Sequence, residues 1–216
     1  SSYPMHFPAF VVAGVCLLLA CGIGDVIGKP FILCVCLTLW AGGYMEKWQQ
    51  EKDACGKWMY ARMLYHSGGY KAANEAYEKL YPVLRGRGAF LFEYGHSLHK
   101  SFLYGDSNKY LEEACRYSSD PMVLNVMGKN YQEQHCYEQA EKFFYRAIHR
   151  LPGRIYPYYL LANLYAEPSF YKPDKLKEAA DSVLTKEPKV HSTAIDEMRS
   201  EVREILKRKD KCEIKK

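Results

Sequence analysis

Apolar and small side chains recur at helical spacing from Glu46 onward, and no stretch of this region alternates apolar and polar residues as a half-buried strand would. The clearest unit runs from Met127 to Gly153. The successive spacings of its small and apolar positions are typical of two short antiparallel helices joined by a turn. These positions are Gly128, Tyr131, Tyr137, Ala140, Phe144, Ala147 and Pro152. The pattern predicts an all-α fold built from helix pairs.

The same unit recurs along the chain. Small residues equivalent to Gly128 stand at Ala61, Gly95 and Ala162, so consecutive units are offset by about 34 residues. This period and this pattern resemble the tetratricopeptide repeat. Because one helix pair cannot bury its apolar face alone, the sequence predicts about four tetratricopeptide repeats stacked as a solenoid over residues 46–190. In the fourth unit, the insert E-P-S-F-Y-K-P-D displaces the second helix by about five residues.

A last amphipathic segment follows the repeats. One stripe of it is apolar, and the remaining positions are rich in Arg, Lys and Glu. The stripe consists of Ile195, Met198, Val202, Ile205 and Leu206. This pattern predicts a capping helix at 191–209, with one side closing the stack and the other facing water. Residues 210–216 lack this periodicity, and we expect them to fray.

The N-terminal part of the chain has a different composition. Of 30 Lys+Arg and 25 Asp+Glu in the whole chain, residues 1–45 contain only Lys29 and Asp25. Two apolar segments, 7–24 and 31–45, are separated by the turn-forming stretch D-V-I-G-K-P. Both are shorter than the roughly 20 residues that usually cross a bilayer. Aromatic residues flank them, however, as is typical of the two membrane–water interfaces. The pattern favours a transmembrane helical hairpin at 1–45; a buried hairpin of a soluble domain is the alternative.

The sequence carries no recognisable catalytic motif. It has no GxGxxG, P-loop, GxSxG or HExxH pattern, and its eight cysteines include no CxxC, so they read as reduced, buried residues. His96 and His99 share a helix face, but no acidic or cysteine ligand joins them at motif spacing. A net charge of +5 without clustered aromatic residues does not favour nucleic acid. We therefore expect no catalytic set, no metal site and no cofactor in this chain.

A repeat solenoid usually offers a concave groove lined by the first helix of each unit. Aromatic, amide and cationic side chains stand at the groove positions of these helices, and they suit an extended peptide or an acidic chain end. The candidate groove residues are Trp58, Arg62, Tyr65, Phe92, His96, His99, Asn125, Lys129, Gln132, Tyr159 and Asn163. The alternative is that these side chains are only solvated.

The first residues, S-S-Y-P-M-H-F-P-A-F, resemble the Ser-Tyr-Pro element that opens a late transmembrane helix in bacterial O-antigen ligases and polymerases. The order of parts resembles the C-terminal region of Bacteroides-like members of that family: Ser2, Tyr3 and Pro4, two short spans, helical repeats, K-E-P-K-V at 186–190 and a final helix. The resemblance implies a parent enzyme that transfers polysaccharide from a polyprenyl diphosphate carrier. It also implies that Ser2, Tyr3 and Pro4 lie near the active cavity, whereas the family's essential residues belong to upstream helices.

The resemblance further implies a multi-pass protein of the bacterial inner membrane, with the lipid bilayer and a protein partner in contact with this region. The side of the membrane is open. Basic residues after the second span favour the cytoplasm by the positive-inside rule, whereas the family's external active site favours the periplasm. These basic residues are Lys47, Lys52, Lys57 and Arg62. The alternative to the ligase is a non-enzymatic membrane-tethered adaptor built on the same repeats.

Overall fold

The computed structural model describes residues 28–188 and 190–213, and all of its regular structure there is helical. The long helix α1 spans Gly28–His66. The end of α1 and the next helix form the first of four helix pairs, and the three other pairs follow in chain order. The remaining bounds are α2 Tyr70–Leu84, α3 Gly88–Lys100, α4 Tyr104–Ala114, α5 Pro121–Glu133, α6 Tyr137–Arg150, α7 Tyr156–Ala166, α8 Pro173–Thr185 and α9 Thr193–Glu213. The predicted all-α fold is confirmed.

The structure describes only one of the two segments of the predicted N-terminal hairpin. Segment 31–45 is the first part of α1, which continues without a break to His66. Segment 7–24 and the Ser2, Tyr3 and Pro4 element lie outside the described residues. Among the helices that the structure describes, none combines the length and the apolar character needed to cross a membrane. The chain divides into two compact units, 1–57 and 58–216, and the solenoid described below belongs to the second unit.

Small residues hold the two helices of each pair close together. Ala61, Gly95, Gly128 and Ala162 are all buried at the equivalent position of the four pairs. A β-carbon built on Gly95 would lie 2.7 Å from Leu111 Cγ on the partner helix, which is closer than real β-carbons approach. The sequence period therefore marks the points of closest helix contact.

Three of the turns inside the pairs share one backbone conformation. Gly68, Phe102 and His135 have φ of 82°, 62° and 59°, and they occupy the equivalent position of successive repeats. Phe102 N–H donates to His99 O at 3.0 Å, and Leu103 N–H donates to Leu98 O at 3.0 Å. This is the Schellman arrangement, in which a left-handed residue ends the helix and satisfies its last carbonyls.

The fourth pair departs from this turn, as the insert in the sequence predicts. Residues 168–170 form a 3₁₀ turn, and the insert packs back on α6. Phe170 stacks on Tyr137 with ring centroids 5.4 Å apart. Lys172 Nζ lies 3.2 Å from Glu141 Oε2, and Tyr165 OH donates to Glu141 Oε1 at 2.7 Å. Polar and aromatic contacts thus anchor the extra residues to the preceding repeat.

Helix α9 packs against the last repeat. Val202 is fully buried among α7 and α8 residues, and Ile205 and Leu206 pack against the same cluster. Arg199 Nε donates to Val183 O at 3.1 Å, and its Nη2 donates to Lys186 O at 2.6 Å, so a cation satisfies carbonyls at the end of α8. The helix extends through residues 210–213, which we expected to fray; no Gly or Pro interrupts it there. Residues 214–216 lie outside the described part.

Candidate functional site

The candidate groove residues fall into three rows along the first helices of the pairs, and members of a row are one repeat apart. The structure does not bring them into one surface. It places ten of the eleven in three environments: a joint around Glu93, a histidine relay, and an open cleft near the C-terminal end; Asn125 is buried apart from all three. The rows are Trp58, Phe92, Asn125 and Tyr159; Arg62, His96, Lys129 and Asn163; and Tyr65, His99 and Gln132.

The first environment is centred on Glu93 of α3. Trp58 Nε1 donates to Glu93 Oε2 at 2.8 Å, Arg62 Nε donates to the same atom at 3.1 Å, and Arg62 Nη2 contacts the other carboxylate oxygen. The hydrogen bond to Glu93 raises the pKa of the Arg62 guanidinium, against the opposing effect of burial. Arg62 is therefore neutralised by an internal carboxylate. It joins the first two repeats and is not a free cation for a partner, which corrects its assignment to the groove.

The second environment is a relay of polar side chains between repeats, partly buried at Tyr65 and His96 and fully buried from His99 onward. Tyr65 OH and His96 Nδ1 are 2.8 Å apart, and the His96 and His99 rings stack with centroids at 5.9 Å. Burial, and secondly the nearby His99, lowers the pKa of His96 to about 4, and burial lowers that of His99. Both imidazoles are thus neutral at pH 7. Phe92 extends this stack, with its centroid 5.7 Å from that of His96.

The relay ends at Asn130 of α5. His99 Nδ1 lies 2.6 Å from Asn130 Oδ1, while Asn130 Nδ2 donates to Ser107 Oγ at 2.8 Å and to Asn108 Oδ1 at 2.7 Å. Since a carbonyl oxygen only accepts, His99 Nδ1 carries the proton. His99 is 8% exposed, so it belongs to the core and not to the groove surface, contrary to the sequence prediction.

Asn125 is also buried, with only 2% of its surface exposed. Its Nδ2 donates weakly to Met122 Sδ at 3.7 Å. Within the described residues, its Oδ1 has no hydrogen-bond partner. Asn125 therefore does not line the cleft, although its sequence position is equivalent to that of Tyr159.

The third environment is a cleft of about 700 Å³ between α5, α7 and α9. It brings together four of the predicted groove residues, Lys129, Gln132, Tyr159 and Asn163. The side opposite α5 is formed by one face of α9, which sequence reasoning treated only as a cap. The α9 residues that line it are Ala194, Glu197, Met198, Glu201, Ile205 and Arg208.

The chemistry of this cleft is mixed. Burial, and secondly the charge of Lys100, lowers the pKa of the Lys129 ammonium, for which the described residues provide no salt bridge within 4 Å. Tyr159 OH donates to Glu201, and the Tyr159 pKa is raised first by burial and then by this bond. The two amide side chains of the cleft add donors and acceptors, which can bond a peptide backbone.

Some of these residues escaped sequence reasoning. Asn130 could have been predicted, because it is a polar residue at a repeat position that faces the buried side of its helix. Glu93 and Glu201 could not have been predicted, because similar glutamates occur on solvated helix faces throughout this chain. No group of three or more His, Cys, Asp or Glu side chains in the described part is arranged to hold a metal ion.

No protein-family model matches the sequence, and no curated protein matches it. Solved structures are similar in fold. A crystal structure of MamA has a TM-score of 0.56 at 16% identity, covering 71% of this chain and 88% of that chain. The 41-end fragment of MamA from Desulfovibrio magneticus RS-1 has a TM-score of 0.54 at 16% identity, covering 92% of this chain and 98% of that chain.

YrrB, described as a tetratricopeptide-repeat protein with an unusual peptide-binding site, has a TM-score of 0.50 at 14% identity, covering 78% of this chain and 97% of that chain. The chain has a tetratricopeptide-repeat fold. At these identities the likeness shows the fold alone. In this tetratricopeptide-repeat solenoid, the cleft between α5, α7 and α9 joins the first helices of the last two repeats to the helix that follows them.

Proposed function

We propose that this chain is a protein-interaction scaffold, whose cleft between α5, α7 and α9 binds an extended segment of a protein partner. The observation that carries the proposal is the convergence of Lys129, Gln132, Tyr159 and Asn163 on one opening of about 700 Å³. Amides suit the peptide backbone, and tyrosine offers a large, rigid contact surface. The similar protein YrrB has a peptide-binding site, which supports the same use of the fold.

Lys129 indicates the charge that the partner should carry at this point of the cleft. Its ammonium is partly buried, with Lys100 close enough to lower its pKa further, so an acidic group of the partner would relieve an unfavourable arrangement. We propose that an acidic side chain or chain end of the bound segment faces Lys129.

A selection from phage-displayed random dodecapeptides tests the proposal with the whole chain as target. The double variant Gln132→Ala/Asn163→Ala removes both amides, and Gln139→Ala on the exposed side of α6 is the matched control. We expect the selected peptides to bind the double variant at least about tenfold more weakly, or by ~1.4 kcal/mol, and the control normally. Failure to select any peptide, or equal binding by all three proteins, overturns the proposal.

We also propose, from the resemblance of Ser2, Tyr3 and Pro4 and the order of parts, that this scaffold is the C-terminal region of an O-antigen ligase-like protein. The parent protein would act on polyprenyl-linked glycan in the bacterial inner membrane, and the scaffold would recruit a partner in surface-polysaccharide assembly. The rival is a membrane-tethered adaptor without enzymatic activity. Further apolar spans encoded upstream, with a long loop containing Arg and His, support the ligase; an adaptor has a start codon directly before Ser1.

Membrane attachment has its own test. If residues 1–45 act as an anchor, the native protein stays in the membrane pellet through carbonate washing. Release of the intact chain by carbonate contradicts the anchor and leaves the scaffold proposal standing, because the cleft lies wholly within 58–216.

A further inference from the structure

The cleft is charged unevenly from one side to the other. Lys129 and Glu133 both line the α5 side; Lys129 is partly buried, whereas Glu133 is exposed. Lys100 of α3 is close enough to lower the pKa of Lys129, and Glu133 opposes this effect more weakly. Three glutamates line the α7 and α9 side: Glu167, Glu197 and Glu201. An occupant that crosses the cleft therefore meets a partly buried cation and one exposed glutamate on the α5 side, and three carboxylates on the other side.

The glutamates of the α7 and α9 side are not neutralised by the cations of the cleft. Arg208 also lines it, but its Nε donates to Glu204 O at 3.4 Å and its Nη2 lies 4.0 Å from Glu204 Oε2. Glu201 accepts a hydrogen bond from the Tyr159 hydroxyl. Glu197 has no salt bridge within 4 Å among the described residues. This side therefore keeps an excess of negative charge.

Two tyrosines stand beside these carboxylates. Tyr156 and Tyr159, in the first turn of α7, stack with centroids 6.2 Å apart and an interplanar angle of 24°. Both line the cleft and are partly buried. Aromatic faces attract a cation most strongly where water is partly excluded, and carboxylates add to that attraction.

We infer that the α7 and α9 side of the cleft holds a lysine or arginine side chain of the bound segment, against Tyr156 and Tyr159 and beside Glu197 and Glu201. The inference rests on the proposed function, and it adds the class of partner. A segment that satisfies both sides carries an acidic group at Lys129 and a basic side chain across the cleft from it. The partner is thus a peptide of mixed charge, and neither a purely acidic nor a purely basic one.

The selection described above also tests this inference, through the sequences it returns. We expect Arg or Lys to be enriched at one peptide position, and the selected peptides to bind Glu197→Gln/Glu201→Gln about tenfold more weakly. Gln at 201 retains an acceptor for Tyr159, so the double variant removes charge and keeps the tyrosine's hydrogen bond. The control Asp196→Asn/Glu178→Gln removes two negative charges outside the cleft and is expected to bind as the parent protein does.

Charge reversal sharpens the test. A selection on Glu197→Lys is expected to lose the enrichment of basic residues at that position. Peptides that depend on Gln132 and Asn163, but show no basic enrichment and bind Glu197→Gln/Glu201→Gln with full affinity, overturn this inference and leave the proposed function intact. If no peptide is selected at all, both fail.

Discussion

Gly128 of α5 faces the ring of Phe144 of α6 so closely that a β-carbon on it would lie 2.7 Å from Phe144 Cδ1. Phe144 is fully buried, so its ring has little room to move aside. The glycine therefore sets the distance between the two helices of the third repeat.

Gly128→Ala should lower the free energy of unfolding by about 1–3 kcal/mol, because the added methyl group overpacks the contact with Phe144. Chemical denaturation of the whole chain measures this difference. Gly105→Ala is the control, because a β-carbon there meets nothing within 4 Å. Equal stability of Gly128→Ala and the parent protein would contradict the close approach.

The joint around Glu93 should be a large contributor to the stability of the first repeat. Glu93→Gln weakens the hydrogen bonds from Trp58 and Arg62 and leaves a partly buried guanidinium without its counter-charge, so we expect a loss of roughly 1–3 kcal/mol. Glu78→Gln, on the exposed side of α2, is the control. A double-mutant cycle with Arg62→Met measures the coupling, and a coupling near zero would show that the joint is not held by this pair.

Stability should fall as the pH is lowered through the histidine range. Burial holds the pKa of His96 at about 4, below the value near 6.5 of an unfolded chain, so the unfolded state binds more protons between these two values. The free energy of unfolding then rises with pH from about 4 to 6.5, and the contribution is complete above that range. Denaturation at several pH values measures the slope.

His96→Gln should make that slope shallower, whereas Gln139→Ala, an exposed substitution that removes no titratable group, should leave it unchanged. Carboxylates titrate in part of the same range, but they contribute equally to all three proteins. The same slope in His96→Gln as in the parent protein would argue against the neutral, buried imidazole.

The turn at Phe102 should be open to stabilisation. Phe102 has φ of 62° and is 77% exposed. Its left-handed backbone is therefore strained, and the burial of its side chain offsets little of that strain. Phe102→Asn should raise stability by about 0.5–1 kcal/mol, or the melting temperature by a few degrees, because asparagine tolerates this conformation. Phe102→Ala is the control, since it removes the ring without easing the backbone. A gain of the same size in Phe102→Ala would attribute the effect to the ring and not to the backbone.

Local spacing was enough to predict the helix pairs. Ala61 and Gly128 recur with the repeat because each pair needs a small residue at its closest contact, and this requirement is met within a single repeat. The insert in the fourth repeat was equally visible, because extra residues with two prolines cannot continue a helix. The burial of Asn125 and His99 could not be predicted from the sequence, since groove positions and core positions are direct neighbours on a helix.

The sequence by itself determined the all-α repeat fold, the number of helix pairs within 58–185 and the amphipathic character of α9. Only the tertiary structure decided that Arg62 is paired with Glu93, that His99 bonds Asn130, and that Glu197 and Glu201 of α9 line the same cleft as Lys129. The reason is physical. Helix periodicity depends on neighbours three and four positions away, whereas a contact between side chains of different repeats depends on how the helix pairs rotate and stack on one another.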